Sequence, residues 1–442
     1  MGKSKIIVYL LGLPVVLLAF LNLCLVFTPE IGFDALWYHL TLPKLWLLKK
    51  QYFFPGGLLY YSVMPRLTEM LFIPLIHFTG TIGPKLLQFL SGLGISYYLW
   101  LITKKLNFKV VYQIIAVSLF YCTWLVSWES SSAYIDLFRS FLETVALFYF
   151  LNKKWFVGGI LLGLALGTKW LVLFSCLIYA LVFGWRILLP IGLVSFPWFL
   201  ISYFYTGNPI YPLFSPLIQN GFQSWWGIVK NFALAPLLFT FPFDDFISPL
   251  VGIIFSLSFL GLFLLKGDHR KISLIGILGA LSTLILSPPS ARFLIPFLPA
   301  LIVSALLIYQ KLPQKLESVI ILFTLLSSLI ILGLRLFAFQ KYLPFLSRQQ
   351  TRNDFLTSMS PRLPDTFIDS DDYVKNLPPK SRFLIDKLHN LYYFPRDFDH
   401  TSWANPNQKY DYLISQNEDT KTVTGKLIHT NQIGIQIFKL ND

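Results

Sequence analysis

Four stretches of this sequence carry ionisable side chains where an otherwise apolar chain has little reason to keep them. The first is FDALWYHLTLPK, residues 33–44, in which Asp34, Tyr38 and His39 follow the first long apolar run. Helical spacing would put Tyr38 one turn from Asp34 and His39 one step further round, so that all three could border one cavity. A carboxylate there could act as a general base on an acceptor hydroxyl, or help hold a divalent cation, with Asp34 as the ligand in question. As a structural feature alone, it would be a solvated acid beside an interfacial aromatic anchor. The second stretch is SWESSSAYIDLFRS, where Asp136 and Arg139 open an apolar run three residues apart and could meet on one helical face. Asp136 is a candidate second catalytic carboxylate and Arg139 a candidate substrate-binding cation, although an acid in the first turn is also what the helix dipole favours, so this pair has a structural reading as well.

The third is Lys169 in GLALGTKWLVLF, which separates two apolar runs. A lysine at full bilayer depth costs about 2.5 to 3.5 kcal/mol, so such a residue either snorkels to an interface or binds something. The small residues before it, Gly158, Gly159, Gly163, Ala165 and Gly167, suit close packing on a neighbouring helix. The fourth is Arg292 in SPPSARFLIPFLP, whose planar guanidinium could take a phosphate in a bidentate contact. Arg66 and Glu69 flank this set in YSVMPRLTEM; one could pair with the other, or Arg66 could face a cavity. His77, His269, His389, His400 and His429 have no mutual spacing that suggests a metal site and read as structural or solvated.

The elements that must position these residues are set by composition. The chain has 442 residues, 55% of them hydrophobic and only 13% charged, which excludes an ordinary soluble domain and defines a polytopic membrane protein. The net charge of +14 is spread singly and in pairs between apolar runs, so it reads as topology and not as a nucleic-acid partner. Runs long enough to cross a core of roughly 30 Å fall near residues 5–27, 83–103, 110–126, 137–151, 155–168, 170–185, 187–205, 247–265, 272–287, 291–309 and 317–338. With the N-terminus inside, the cytoplasmic connections collect Lys3, Lys5, Lys104, Lys105, Lys109, Lys153, Lys154, Arg186, Lys266, Arg270, Lys271, Lys311 and Lys315, against Asp268 and Glu317. This bias fits the positive-inside rule. Residues 67–80 are apolar enough to resemble a span, but a crossing there would move Lys104 to Lys109 to the outside. Glu69, Pro74 and His77 instead suit a helix lying at the outer interface.

Asp34, Asp136, Lys169 and Arg292 then share the outer face. After about residue 340 the composition turns polar, and SRFLID, YDYLIS and GIQIFKL read as short strands. The expected fold is therefore all-α and polytopic, with about eleven transmembrane helices over residues 1–340 and interfacial helices in the first external loop. Residues 341–442 form a small extracytoplasmic α/β domain. The absence of an Asn-x-Ser/Thr sequon favours a bacterial plasma membrane. Cys24, Cys122 and Cys176 lie inside apolar runs and form neither a disulfide framework nor a zinc site. No Walker A loop is present, so a reaction on the outer face must draw on a substrate activated beforehand, and a lipid-linked sugar phosphate fits.

The order of these residues resembles the GT-C superfamily of integral membrane glycosyltransferases, especially bacterial relatives of protein O-mannosyltransferases and aminoarabinose transferases. The resemblance covers roughly residues 1–340. It rests on Asp34 and Tyr38 in a first loop, the interfacial stretch 67–80, Asp136 in a second loop, Thr168-Lys169 after a small-residue helix, and Arg292 in RFLIP. It implies transfer of a sugar from a polyprenyl-phosphate donor to a lipid, glycan or protein acceptor by inverting displacement. Asp34 would be the base, and Lys169 and Arg292 would hold the donor phosphate. Two departures stand out: Ala35 follows Asp34 where the family often has a second acid, and Met64-Pro65-Arg66 stands where a family lysine is expected. The rival readings are a flippase of lipid-linked glycans and a polysaccharide polymerase or ligase.

Overall fold

The computed structural model describes residues 3–218, 222–241, 250–286, 290–311, 313, 316–416 and 425–440. Residues 247–249 and 287 of the expected spans, together with Pro288, Pro289 and Lys315, lie outside the described residues. Helices dominate: α1 (Lys3–Val26), α2 (Thr41–Lys49), α3 (Leu67–Thr79), α4 (Ile82–Lys105), α5 (Val110–Tyr121), α6 (Trp124–Glu129), α7 (Asp136–Leu151) and α8 (Trp155–Leu166) form the first half. The second half continues with α9 (Val172–Phe183), α10 (Leu188–Thr206), α11 (Trp225–Ala233), α12 (Ala235–Thr240), α13 (Val251–Leu264), α14 (Gly267–Thr283), α15 (Leu298–Tyr309) and α16 (Glu317–Phe339). Five segments among the described residues are long and apolar enough to cross a membrane: α1, α4, the stretch Trp185–Thr206 around α10, Ala291–Tyr309 and α16 with its extension. Others, such as α5, α8, α9 and α13, are apolar but shorter than the roughly 20 residues that a full crossing takes.

Two helix boundaries differ from those expected. The run 110–126 is not one helix: α5 stops at Tyr121, Thr123 is extended, and the chain restarts as α6 at a new angle. The Thr123 hydroxyl donates to the carbonyl of Phe120, taking up an acceptor that the helix end leaves open. Residues 291–309 begin as a 3₁₀ segment, Ala291–Phe297, before α15. Pro296 and Pro299 lack the amide hydrogens that regular α-helix would need through this stretch.

Close packing explains the small residues of α8. A Cβ on Gly163 would approach the Ile191 carbonyl oxygen to 2.9 Å, so α10 can lie on α8 only because that position is bare. Helix α7 is wedged between α4 and α8, and α1 packs between α5 and α16. Buried polar ties run through the same layers. Arg335 of α16 donates to Asn22 Oδ1 at 2.8 Å and to Ser131 Oγ at 3.0 Å, and Lys85 Nζ of α4 donates to the Leu25 and Thr28 carbonyls at the end of α1.

The C-terminal part holds a five-stranded mixed sheet of β1 (Phe383–Ile385), β2 (Asp399–His400), β3 (Tyr412–Gln416), β4 (Gly425–Thr430) and β5 (Ile435–Leu440), in the order β2-β1-β3-β5-β4. Strand β1 runs parallel to both β2 and β3, while β5 is antiparallel to β3 and β4. Phe383, Ile385, Ile414 and Ile437 turn inward from the sheet and share one apolar core with Leu42, Leu45, Trp46 and Leu59 of the first loop. Polar bonds fix the same docking. Lys44 Nζ donates to the carbonyls of Tyr392 (2.7 Å) and Phe394 (2.6 Å), the Tyr393 hydroxyl to the Glu30 carbonyl (2.8 Å), and the Leu58 amide to Ser402 Oγ (2.8 Å).

Candidate active site

Residues 33–44 do not form the regular helix that their spacing suggests. Ala35–His39 makes a single π-helical turn, closed by the bond from the Leu40 amide to the Ala35 carbonyl at 2.9 Å, and α2 starts only at Thr41. The wider turn fans its side chains apart, so Asp34, Trp37, Tyr38 and His39 all reach the wall of one cavity. The cavity measures about 380 Å³. Tyr61, Met64, Pro65 and Arg66 of the first loop close another side, the connection Thr168-Lys169-Trp170-Leu171 between α8 and α9 a third, and Leu213, Leu286, Ser290, Arg292 and Phe293 the rest.

Two ion pairs organise its charge. Arg292 Nη1 stands 2.8 Å from Asp34 Oδ2, both groups mostly buried, with the guanidinium 4.8 Å over the Tyr134 ring. Lys169 Nζ donates to Asp136 Oδ1 at 2.8 Å and lies over Phe293. The first pair sits in the cavity wall, whereas the second spans it: Lys169 lines the cavity, and Asp136 stands behind with 1% of its side chain exposed. Asp136, expected among the catalytic groups, thus faces the lysine and not the cavity.

Arg139, expected to meet Asp136 and to bind substrate, pairs instead with Glu143 one turn on, at 2.7 Å, and is fully buried. Glu143 accepts a second bond from Ser175 Oγ of α9, which draws both residues to the α7–α9 interface. Glu69 is likewise buried away from the cavity. Its Oε1 accepts from Arg66 Nη1 at 2.6 Å and faces His39 Nδ1 at 2.7 Å. Arg66 also donates to the Tyr61 carbonyl and lies over the Tyr38 ring, so much of its hydrogen-bonding capacity is used inside the first loop. Burial pushes the His39 imidazole below its ordinary value of 6.5, against the pull of Glu69. Nδ1 faces Glu69, Nε2 is buried without a protein partner, and the His39 side chain contributes to the cavity lining. Burial also drives the Tyr134 and Tyr38 hydroxyls above the ordinary phenol range, with the Asp34 charge adding to the effect.

Glu30 is the structural residue that spacing did not reveal. Its Oε1 accepts from the amides of Ile31 (2.9 Å) and Gly32 (2.7 Å) and from Ser132 Oγ (3.0 Å), while Oε2 accepts from the Ala133 amide at 2.6 Å. One buried carboxylate therefore clamps the loop carrying Asp34 to the loop leading into Asp136. Gly32 is part of the same contact, since a Cβ there would meet the Tyr134 ring at 2.5 Å. The available signal was an acid two residues before a glycine, directly after an apolar run. Trp37, Tyr61 and Ser290 were also not singled out, although they line the cavity.

A divalent cation does not suit this donor set. Asp34 is the carboxylate in the cavity wall among the described residues, and it faces Arg292. No group of three His, Cys, Asp or Glu side chains that could hold a metal gathers among those residues. The chemistry available is instead that of a base beside two cations: an anion can be held by Arg292 and Lys169 while Asp34 accepts hydrogen bonds from hydroxyls.

The fold that carries this cavity, an apolar helical bundle with a small docked sheet, is shared with solved structures of ArnT. Among solved structures the chain superposes on ArnT from Cupriavidus metallidurans bound to undecaprenyl phosphate, with a TM-score of 0.64, 11% identity, and coverage of 99% of this chain and 98% of that one. It superposes equally on the apo state of ArnT from the same organism, with a TM-score of 0.65 and 11% identity over the same shares of the two chains. At this identity the likeness is one of fold. No family model matches the sequence, and no curated protein matches it.

Proposed function

We propose that this protein is a membrane glycosyltransferase that moves a sugar from a polyprenyl-phosphate donor to an acceptor on the extracytoplasmic face. The observation that carries the reading is the convergence of Asp34, Arg292 and Lys169 on one cavity, in a fold whose solved example holds undecaprenyl phosphate. The charge frame orients the chain in a plasma membrane with its N-terminus in the cytoplasm, about eleven crossings, α2 and α3 at the outer interface, and residues 341–442 outside. Short helices such as α8 and α9 then complete crossings together with the connections at their ends.

In the reaction proposed, Arg292 turns from Asp34 to the donor phosphate, and Lys169 reaches the same phosphate while held by Asp136. Asp34 accepts the proton of the acceptor hydroxyl. The acceptor oxygen bonds to the anomeric carbon from the face opposite the phosphate, and the bond from that carbon to the phosphate oxygen breaks with its electron pair. Polyprenyl phosphate leaves with its new charge held by the two cations, which is electrostatic stabilisation of a developing anion in a site shielded from water. His39 contacts the substrate from the cavity lining. Asp136 positions Lys169, and Glu69 positions His39 and Arg66.

The decisive test is Asp34→Asn in a radiolabelled lipid-sugar transfer assay. Loss of a general base lowers rate by roughly 10² to 10⁴-fold, with undecaprenyl phosphate binding and thermal unfolding retained. A fully active variant would sink the assignment. A chain that translocates lipid-linked glycan without any transfer would establish the flippase reading instead.

A further inference from the structure

Two aromatic rings of the cavity wall, Trp37 and Tyr61, are backed by a cluster of further rings, and the transfer chemistry described above leaves them unused. Trp37 is held by its indole N–H, which donates to the Leu58 carbonyl at 3.1 Å. Tyr61 stands edge-on to it with ring centres 5.4 Å apart, and Tyr60 lies 4.2 Å from Tyr61. From the C-terminal part, His389 comes within 4.4 Å of the Trp37 ring and stacks on Phe33 at 5.1 Å. Phe33 remains 39% exposed, and Trp37 and Tyr61 open onto the cavity. Large rings that open partly onto a cavity carrying a few charged groups are the composition of a ligand-binding wall.

The position of this ledge relative to Asp34 specifies what it would hold. Asp34 meets Arg292 on one side, while Phe33 precedes it in sequence and Trp37 follows on the same π turn. The Asp34 charge is felt at both Tyr60 and His389. If the donor phosphate occupies Arg292 and Lys169, which lie over Tyr134 and Phe293, then Trp37 and Tyr61 are cavity rings that neither cation covers. A pyranose suits such a surface: its axial C–H bonds form an apolar face that lies flat on an indole or phenol ring. Its rim hydroxyls reach tyrosine hydroxyls and the Asp34 carboxylate. A prenyl chain would instead place apolar carbon against Asp34 and His39, groups that need hydrogen-bonding partners.

We infer that Trp37 and Tyr61, with Phe33 and His389 packed against Trp37, form an acceptor subsite for a pyranose ring, so that the acceptor is a carbohydrate and the C-terminal part buttresses its site through His389. This rests on the glycosyltransferase reading, and the test separates the two. The full chain in nanodiscs is titrated with methyl glucopyranoside, methyl mannopyranoside and methyl galactopyranoside by saturation-transfer NMR, and with undecaprenyl phosphate in a parallel binding assay. The expected result is saturation transfer to ring C–H protons of at least one glycoside, weakened tenfold or more by Trp37→Ala and by His389→Ala. Trp37→Phe and His389→Phe, which keep a ring and control for folding, hold affinity within a few fold. Absence of glycoside binding to a wild-type chain that binds undecaprenyl phosphate overturns the acceptor subsite and leaves the glycosyltransferase reading standing. Glycoside binding that survives both alanine variants, or a Trp37→Ala loss confined to undecaprenyl phosphate, also overturns it. Failure of undecaprenyl phosphate to bind at all counts against the reading on which it rests.

Discussion

Replacing Lys169 by methionine would leave Asp136 as a carboxylate with 1% of its side chain exposed and without the cation that stands 2.8 Å away. At that separation the gross attraction is about 6 kcal/mol for an effective dielectric of about 20. Desolvation of the two groups cancels most of it, but removing one partner exposes the whole cost of burying the other, about 3 to 5 kcal/mol. Asp136 Oδ2 already lacks a hydrogen-bond partner, which places the expected loss toward the upper end of that range. The double variant Asp136→Asn with Lys169→Met removes both charges and should regain most of the lost stability, since an uncharged pair of similar size tolerates burial. Donor affinity should behave differently. A charge-assisted hydrogen bond to phosphate contributes about 2 kcal/mol, so Lys169→Met should weaken undecaprenyl phosphate binding roughly thirtyfold, and the double variant should not recover it. Thermal unfolding and lipid-phosphate binding, measured on the wild type, Asp136→Asn, Lys169→Met and the double variant, make a complete cycle. If affinity returned along with stability, Lys169 would be a structural cation only, and the phosphate-binding argument would fail.

Glu30→Gln keeps the shape of the clamp but cannot accept four hydrogen bonds with full charge, so activity should fall at least tenfold through misplacement of Asp34, with protease sensitivity rising in the loops 28–34 and 130–135; unchanged transfer would show that the clamp is dispensable. His39 supplies a pH dependence. Its folded value lies below 6.5, so the unfolded chain takes up the proton first as pH falls, and stability present above 6.5 is lost progressively below it. His39→Gln should flatten the unfolding temperature between pH 7 and the lowered value; an unaltered slope would place the acid sensitivity elsewhere.

Charge spacing made Asp34, Lys169 and Arg292 recognisable, because each interrupts or borders an apolar run and the loop charges put all three at one end of the bundle. What spacing could not supply was the partner of each. Arg139 lies three residues after Asp136 and four before Glu143, and both offsets share a helical face. The choice is made by Ser175 on α9 and by Lys169, 33 residues beyond Asp136. The π turn at residues 35–39 was equally hidden, since its wider pitch answers to the sheet and loops packed around it and not to local propensity. Strands β1, β3 and β5 were readable from their apolar alternation, whereas β2 has two residues and β4, GKLIHT, is largely polar on its exposed side. His389 read as solvated because nothing near it in sequence announces Phe33 and Trp37.

The contact between Lys44 and the carbonyls of Tyr392 and Phe394 joins residues about 350 positions apart. A ribosome adding 5 to 20 residues per second takes on the order of half a minute to cover that interval. The loop that holds Asp34 is thus made long before the partners that fix it. Throughout that time its lysine and its apolar residues Leu42, Leu45 and Trp46 stand uncovered at the membrane surface. Closure of the loop beside the cavity therefore waits on the segment around Tyr392 and Phe394.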